Sequence, residues 1–143
     1  TAASSSSKTR EPIRLIVLRA GDAAAPVAER RGQFFSWIVR EGTRWEGAGD
    51  ANLEWSELDI RDVSLELPHP SHADAFIITG SSSSVTERAP WMLRAEEYIR
   101  RLHLERIPLF GICFGHQMIA QALGGNVTKN PRGREMGTIE LIK

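Results

Sequence analysis

The sequence predicts an α/β fold with an open, mostly parallel sheet flanked by helices, and the first sign is three short apolar runs. Ile13 to Leu18 (IRLIVL), Ala75 to Thr79 (AFIIT) and Ile107 to Cys113 (IPLFGIC) are almost continuously apolar and are bounded by Gly or Pro punctuation. Runs this short, rich in Ile, Val, Leu and Phe, suit strands buried on both faces, the pattern of a parallel sheet covered by helices. The segments between them carry helical periodicity, and strands alternating with helices are the signature of an open α/β sheet.

The elements follow in order. After the first strand, Pro26 to Arg40 reads as a helix, because Val27, Phe34, Phe35 and Ile38 recur at i, i+7, i+8 and i+11 and mark one buried face. Leu53 to Ile60 (LEWSELDI) is a weaker strand, since its apolar alternation slips one place between Trp55 and Leu58. Pro90 suits the first turn of the next helix, whose Trp91, Ala95, Tyr98, Ile99 and Leu102 share a face. Glu96 with Arg100 and Glu97 with Arg101 stand at i,i+4 on its other side. A third helix runs from Phe114 to Leu123, stopped by Gly124 and Gly125. Asn130-Pro131-Arg132-Gly133 is turn chemistry, and the alternating Thr138 to Lys143 (TIELIK) reads as an added antiparallel strand.

Composition narrows the function classes. With 143 residues the chain is the size of one domain with a real core. Lys and Arg balance Asp and Glu at 18 each, so the basic footprint of a nucleic-acid binder is missing. A lone cysteine forms no internal disulfide, which points to a reducing, cytoplasmic setting. No apolar run approaches the ~20 residues that span a bilayer. The Ser-rich residues 1–11 read as a flexible tail or a remnant of cloning, and 12–143 as the folded unit. That unit stops on a strand-like run with no helix or cap behind it; it is either complete or the front of a longer protein, and the pattern leaves both open.

The chemistry gathers at Gly111-Ile112-Cys113-Phe114-Gly115. A Gly-x-nucleophile-x-Gly pentapeptide between a buried strand and a helix is a nucleophile elbow, here with cysteine for serine. It projects the side chain at the carboxyl end of the strand, where open α/β sheets bind ligands. The helix starting at Phe114 offers unpaired N–H groups and a dipole that favour negative charge. The backbone N–H of Phe114 is therefore one candidate oxyanion donor. If the Ala75–Thr79 strand lies beside the cysteine strand in parallel, the N–H of Gly80 in Gly80-Ser81-Ser82-Ser83-Ser84 becomes the second. The plain alternative is a small cysteine packed in a core.

At these residues the sequence resembles the class I (triad) glutamine amidotransferases, whose elbow reads Gly-x-Cys-x-Gly-His/Gln and here reads GICFGHQ. ITGSSSSVTERAPW (Ile78 to Trp91) is similar to the family's oxyanion-loop segment. NPRGREMGTIEL (Asn130 to Leu141) and GDAAAPVAERRGQF (Gly21 to Phe34) resemble stand-alone, GMP-synthase-like members. The resemblance implies a flavodoxin-like class I glutaminase fold. It also implies hydrolysis of the glutamine side-chain amide through a γ-glutamyl thioester, with ammonia passed to a synthetase partner or domain and no cofactor. It assigns the nucleophile to Cys113, the oxyanion donors to Gly80 and Phe114, and substrate contacts to Gln117 and Ser82. The family's base and its orienting acid form a His-x-Glu pair well downstream of the elbow, beyond Lys143. The expectation is thus a truncated N-terminal portion, inactive alone, whose exposed sheet edge invites self-association. A γ-glutamyl peptidase with the same elbow and a non-catalytic interaction domain are the rivals.

The remaining candidates have simpler readings. His116 follows the elbow on its helix and His103 closes the helix before it, while His69 and His72 sit in a turn without a third metal ligand nearby. The serine run lacks the Lys and Gly spacing of a P-loop, and no Gly-x-Gly-x-x-Gly follows a strand. Arg132, Arg134 and Glu135 read as turn or surface charges.

Overall fold

The structure, a computed structural model, describes residues 10–45, 47 and 49–134. The strand expected at 138–143 and Glu135 lie outside the described residues. The described elements are β1 (Ile13–Arg19), α1 (Ala25–Arg31), α2 (Phe34–Arg44), β2 (Leu53–Asp59), β3 (Ala75–Ile78), α3 (Pro90–Leu104), β4 (Leu109–Gly111) and α4 (Phe114–Ala122). Short 3-10 turns cover Pro70–His72 and Val85–Glu87. The four described strands pair in the order β2-β1-β3-β4, every pair parallel.

Register divides the side chains between two faces. Ile16 lies opposite Phe76, Leu18 opposite Ile78, and Leu18 opposite Leu58. These side chains form one core with Met92, Tyr98, Ile99 and Leu102 of α3 and Phe114 and Met118 of α4. Phe76 meets Tyr98 edge to face at 5.8 Å. On the opposite face α2 packs over β1 and β2. Beyond α2, that face leaves Phe110 64% and Ile112 38% exposed on the β4 side.

The slip in β2 is a strand whose apolar residues change face. Leu53 and Trp55 point to the α2 side, where Trp55 lies against Gly42. Leu58 and Ile60 fall on the other face and join the core. The single helix expected over 26–40 is two helices. Gly32 adopts φ 79°, a left-handed conformation that ends α1 and that residues with a Cβ rarely take. The spacing of Val27 to Phe34 therefore joins two separate faces.

The i,i+4 pairs expected on α3 are also replaced. Glu96 is only 4% exposed and is clasped by Arg88 through both carboxylate oxygens, the second at 3.2 Å. Arg101 pairs with Glu105 at 3.2 Å. Burial decides the first exchange: a carboxylate out of water needs a two-point partner, and the αL residue Arg88 (φ 52°) supplies it from the 85–87 turn.

Candidate active site

β4 ends at Gly111 and α4 begins at Phe114, so the chain reverses within Ile112 and Cys113. Cys113 takes φ 51° and ψ −107°. For a residue with a Cβ this backbone is strained, by about 1–3 kcal/mol, and it persists only when its surroundings impose it. Three hydrogen bonds do so. Ile112 N–H donates to the Ile78 carbonyl at 2.9 Å, Gly115 N–H to Ile112 O at 2.8 Å and Gln117 N–H to Cys113 O at 3.1 Å.

Both flanking glycines are sterically required. A Cβ on Gly111 would stand 2.5 Å from Gly115 C and His116 N, and one on Gly115 would stand 2.4 Å from the Ile78 carbonyl oxygen. The elbow is thus wedged between its own helix and β3, and the Cys113 side chain is left exposed at the strand ends.

The loop after β3 meets it there. A Cβ on Gly80 would find one neighbour within 4 Å, Cys113 Cβ at 4.0 Å. From the β1 side, Gly21 closes on the same loop: a Cβ there would lie 2.6 Å from Ser81 Cα and 2.9 Å from Gly80 O. Together these segments line a cleft of about 440 Å³. Its walls are Ile112 and Cys113 of the elbow, Thr79 to Ser82, Asp22, and Phe34, Trp37 and Ile38 of α2.

Of the residues singled out in the sequence, Cys113, Gly80 and Ser82 meet in this cleft. Phe114 buries its ring against Trp91 at 5.8 Å and heads α4, where its N–H has no intrahelical acceptor. Gln117 is exposed one turn along α4, four residues from Cys113 and so on its side of the helix, but outside the cleft lining. No histidine lines the cleft. His69 and His72 belong to the turn before β3, about 13 Å of strand away, at the opposite edge of the sheet. His103 is in the last turn of α3, and His116 is exposed on α4.

Sequence reasoning passed over Asp22, Thr79 and the α2 wall. Their one sequence signal is position, since Asp22 and Thr79 each follow a parallel strand on the edge where Cys113 emerges. Asp22 is fixed by Arg61 at 3.0 Å and Arg19 at 3.4 Å. Arg61 also forks onto Asp59 at 2.8 and 2.9 Å. That hydrogen bonding holds the Asp59 carboxyl below its usual range against partial burial, and holds the Arg61 guanidinium firmly protonated. The network braces the end of β2 against the loop after β1.

Residues 32–143 match the family model for glutamine amidotransferase class-I. The chain belongs to that family. It is 34% identical over 100 residues to gamma-glutamyl peptidase 4 of Arabidopsis thaliana, covering 66% of this chain and 39% of the relative. It is 31% identical over 113 residues to the glutamine amidotransferase-like protein chyE of Penicillium rubens, covering 76% of this chain and 46% of the relative. A crystal structure of a glutamine amidotransferase from Thermotoga maritima aligns with TM-score 0.60 at 20% identity, over 87% of this chain and 49% of that one. That likeness bears on the fold, which agrees with the flavodoxin-like expectation. This family member spans less than half the length of each of these proteins.

Proposed function

We propose that this chain carries the nucleophile half of an amide-hydrolysing site for γ-glutamyl compounds, glutamine among them. Cys113 sulfur attacks the γ-carbonyl carbon, forming a tetrahedral intermediate whose oxyanion is held by the backbone N–H groups of Gly80 and Phe114. The C–N bond breaks, the amine leaves with a proton, and water then cleaves the γ-glutamyl thioester. Ser82 and Gln117 contact the amino-acid end of the substrate. The observation that carries this reading is the strained Cys113 backbone, wedged by two obligatory glycines with its Cβ facing Gly80.

No histidine lines the cleft described, and in this reading the general base that takes the thiol proton and returns one to the leaving amine is the His-x-Glu pair that the family resemblance implies. Purified Thr1–Lys143 is therefore expected to show negligible glutaminase activity. With relatives named as a peptidase and as amidotransferase-like, two leaving groups stay in view for this site: an amine from a γ-glutamyl peptide, or ammonia from glutamine passed to a synthetase partner. A reducing compartment such as the cytoplasm suits an exposed lone thiol.

The test is labelling of the whole protein with an electrophilic glutamine analogue. Modification at Cys113, abolished by Cys113→Ser, is expected; an inert Cys113 would leave an exposed but unreactive thiol in an interaction domain. Ammonia against amine release from L-glutamine and a γ-glutamyl dipeptide then separates the two activities.

A further inference from the structure

We infer that Thr79 is a positioning residue for the oxyanion site, its buried hydroxyl setting the conformation of Gly80; the inference rests on the function proposed for Cys113. Leu18 pairs with Ile78, and Thr79 N–H donates to Leu18 O at 3.1 Å. In a regular parallel ladder the next bond would run from Ala20 N–H to the Thr79 carbonyl. Ala20 N–H goes instead to Thr79 Oγ1 at 2.9 Å. The same hydroxyl donates its proton to the Gly80 carbonyl at 3.0 Å. A side-chain oxygen has replaced a backbone oxygen, so the ladder stops one peptide early and the Thr79–Gly80 peptide leaves strand geometry.

Gly80 needs this restraint. Its bare Cα admits the approach to Cys113, but a glycine loses more freedom on ordering than any other residue. An oxyanion donor is effective only when fixed in place before charge develops. The Thr79 hydroxyl grips the Gly80 carbonyl from one side, and Gly21 backs the same carbonyl from the β1 side. Thr79 is 1% exposed, so water does not compete for either bond. β1 and β4 flank β3 on opposite sides, and the hydroxyl therefore ties the donor loop to β1 while Cys113 approaches it from β4.

The experiment compares two reagents on Cys113 in the whole protein. A chloroketone analogue of glutamine passes through a tetrahedral alkoxide that the oxyanion site would hold, whereas iodoacetamide reacts by direct displacement and generates none. Thr79→Val is expected to slow chloroketone labelling about 10- to 100-fold and to change iodoacetamide labelling by about twofold or less, while Thr79→Ser, keeping the hydroxyl, recovers to within about threefold of wild type. Chloroketone labelling of Thr79→Val at the wild-type rate would overturn the inference. So would equal slowing with both reagents, or failure of Thr79→Ser to rescue in a variant that melts like wild type, since either outcome marks a structural role. A wild-type protein with no preference for the chloroketone would instead remove the function proposed for Cys113, and the role of Thr79 with it.

Discussion

Gly115→Ala tests the elbow at its tightest contact. The added methyl would stand 2.4 Å from the Ile78 carbonyl oxygen and 2.9 Å from the Ile78 carbonyl carbon. Ordinary contact begins at 3.4 Å, so the first turn of α4 and the end of β3 must separate by about 1 Å. The obstructing carbonyl also accepts the Ile112 N–H bond that anchors the elbow, so the retreat strains the tether as well as the packing. Overpacking of this kind costs about 1–3 kcal/mol, a melting temperature lower by about 2–12 °C. The same displacement moves Cys113 relative to Gly80, and misplacement by about 1 Å costs about 100-fold in reactivity that depends on both. The assay is the second-order rate of Cys113 labelling by the chloroketone analogue in the whole protein, alongside thermal melting. Gly80→Ala is the counterpart: its methyl meets only Cys113 Cβ, at an ordinary 4.0 Å, so melting is expected to hold while labelling slows. Wild-type melting and labelling in Gly115→Ala would refute the steric argument. A destabilised Gly80→Ala with unchanged labelling would refute the reason given for that glycine.

Three further outcomes are expected. Tyr98, the chain's single tyrosine, donates to Pro68 O at 2.7 Å, and burial pushes its hydroxyl up from 10.0 to about 12. Because the fold favours the protonated form, its contribution to stability is complete below about pH 10 and is lost as pH rises through about 12. Tyrosinate absorbance should therefore titrate near 12 in the native chain and near 10 after denaturation, and a native midpoint near 10 would contradict the burial argument. Arg88→Ala strands the buried Glu96 carboxylate and should cost about 2 kcal/mol, largely recovered when Glu96→Gln is added, as read by a double-mutant melting cycle. Phe110, 64% exposed on β4, should drive self-association of Thr1–Lys143, so that Phe110→Asp lowers the mass seen by light scattering.

Legibility in the sequence tracked how local the encoding was. The strands around Leu18, Phe76 and Leu109 announced themselves as short continuous apolar runs, although β4 buries only one face and leaves Phe110 exposed on the other. The helix Pro90–Leu104 was readable from one stripe and a Pro in its first turn. Gly32 was harder: nothing in the periodicity of Val27 to Ile38 reveals that one glycine adopts φ 79° and splits the helix. The slip in β2 resisted for a related reason, as Trp55 and Ile60 answer to different layers that a single-face template does not contain. Cys113 and Gly80, which the structure places in the cleft, could be singled out because glycines mark them, whereas Asp22, Phe34 and Trp37 reach the cleft only through tertiary packing. Glu96 was misassigned for that reason too, its partner Arg88 lying in the turn before the helix.

The site is specified largely by what its residues lack. Gly111, Gly115 and Gly21 sit where a Cβ would come within 2.6 Å of neighbouring atoms, most of them main chain. Three backbone segments, after β1, β3 and β4, thus converge more closely than side chains would permit. Backbone cannot relax as a long side chain can, so such contacts fix the Cys113 to Gly80 geometry without a hydrogen bond between them. Thr79 contributes directed bonds to Ala20 and Gly80 where packing alone would leave a glycine free to turn. Steric exclusion therefore sets how near the loops come, and the Thr79 hydroxyl restrains how the Gly80 loop is oriented. The two act on different coordinates, which is why Gly115→Ala is expected to lower stability and reactivity together while Thr79→Val lowers only the reactivity that passes through an oxyanion.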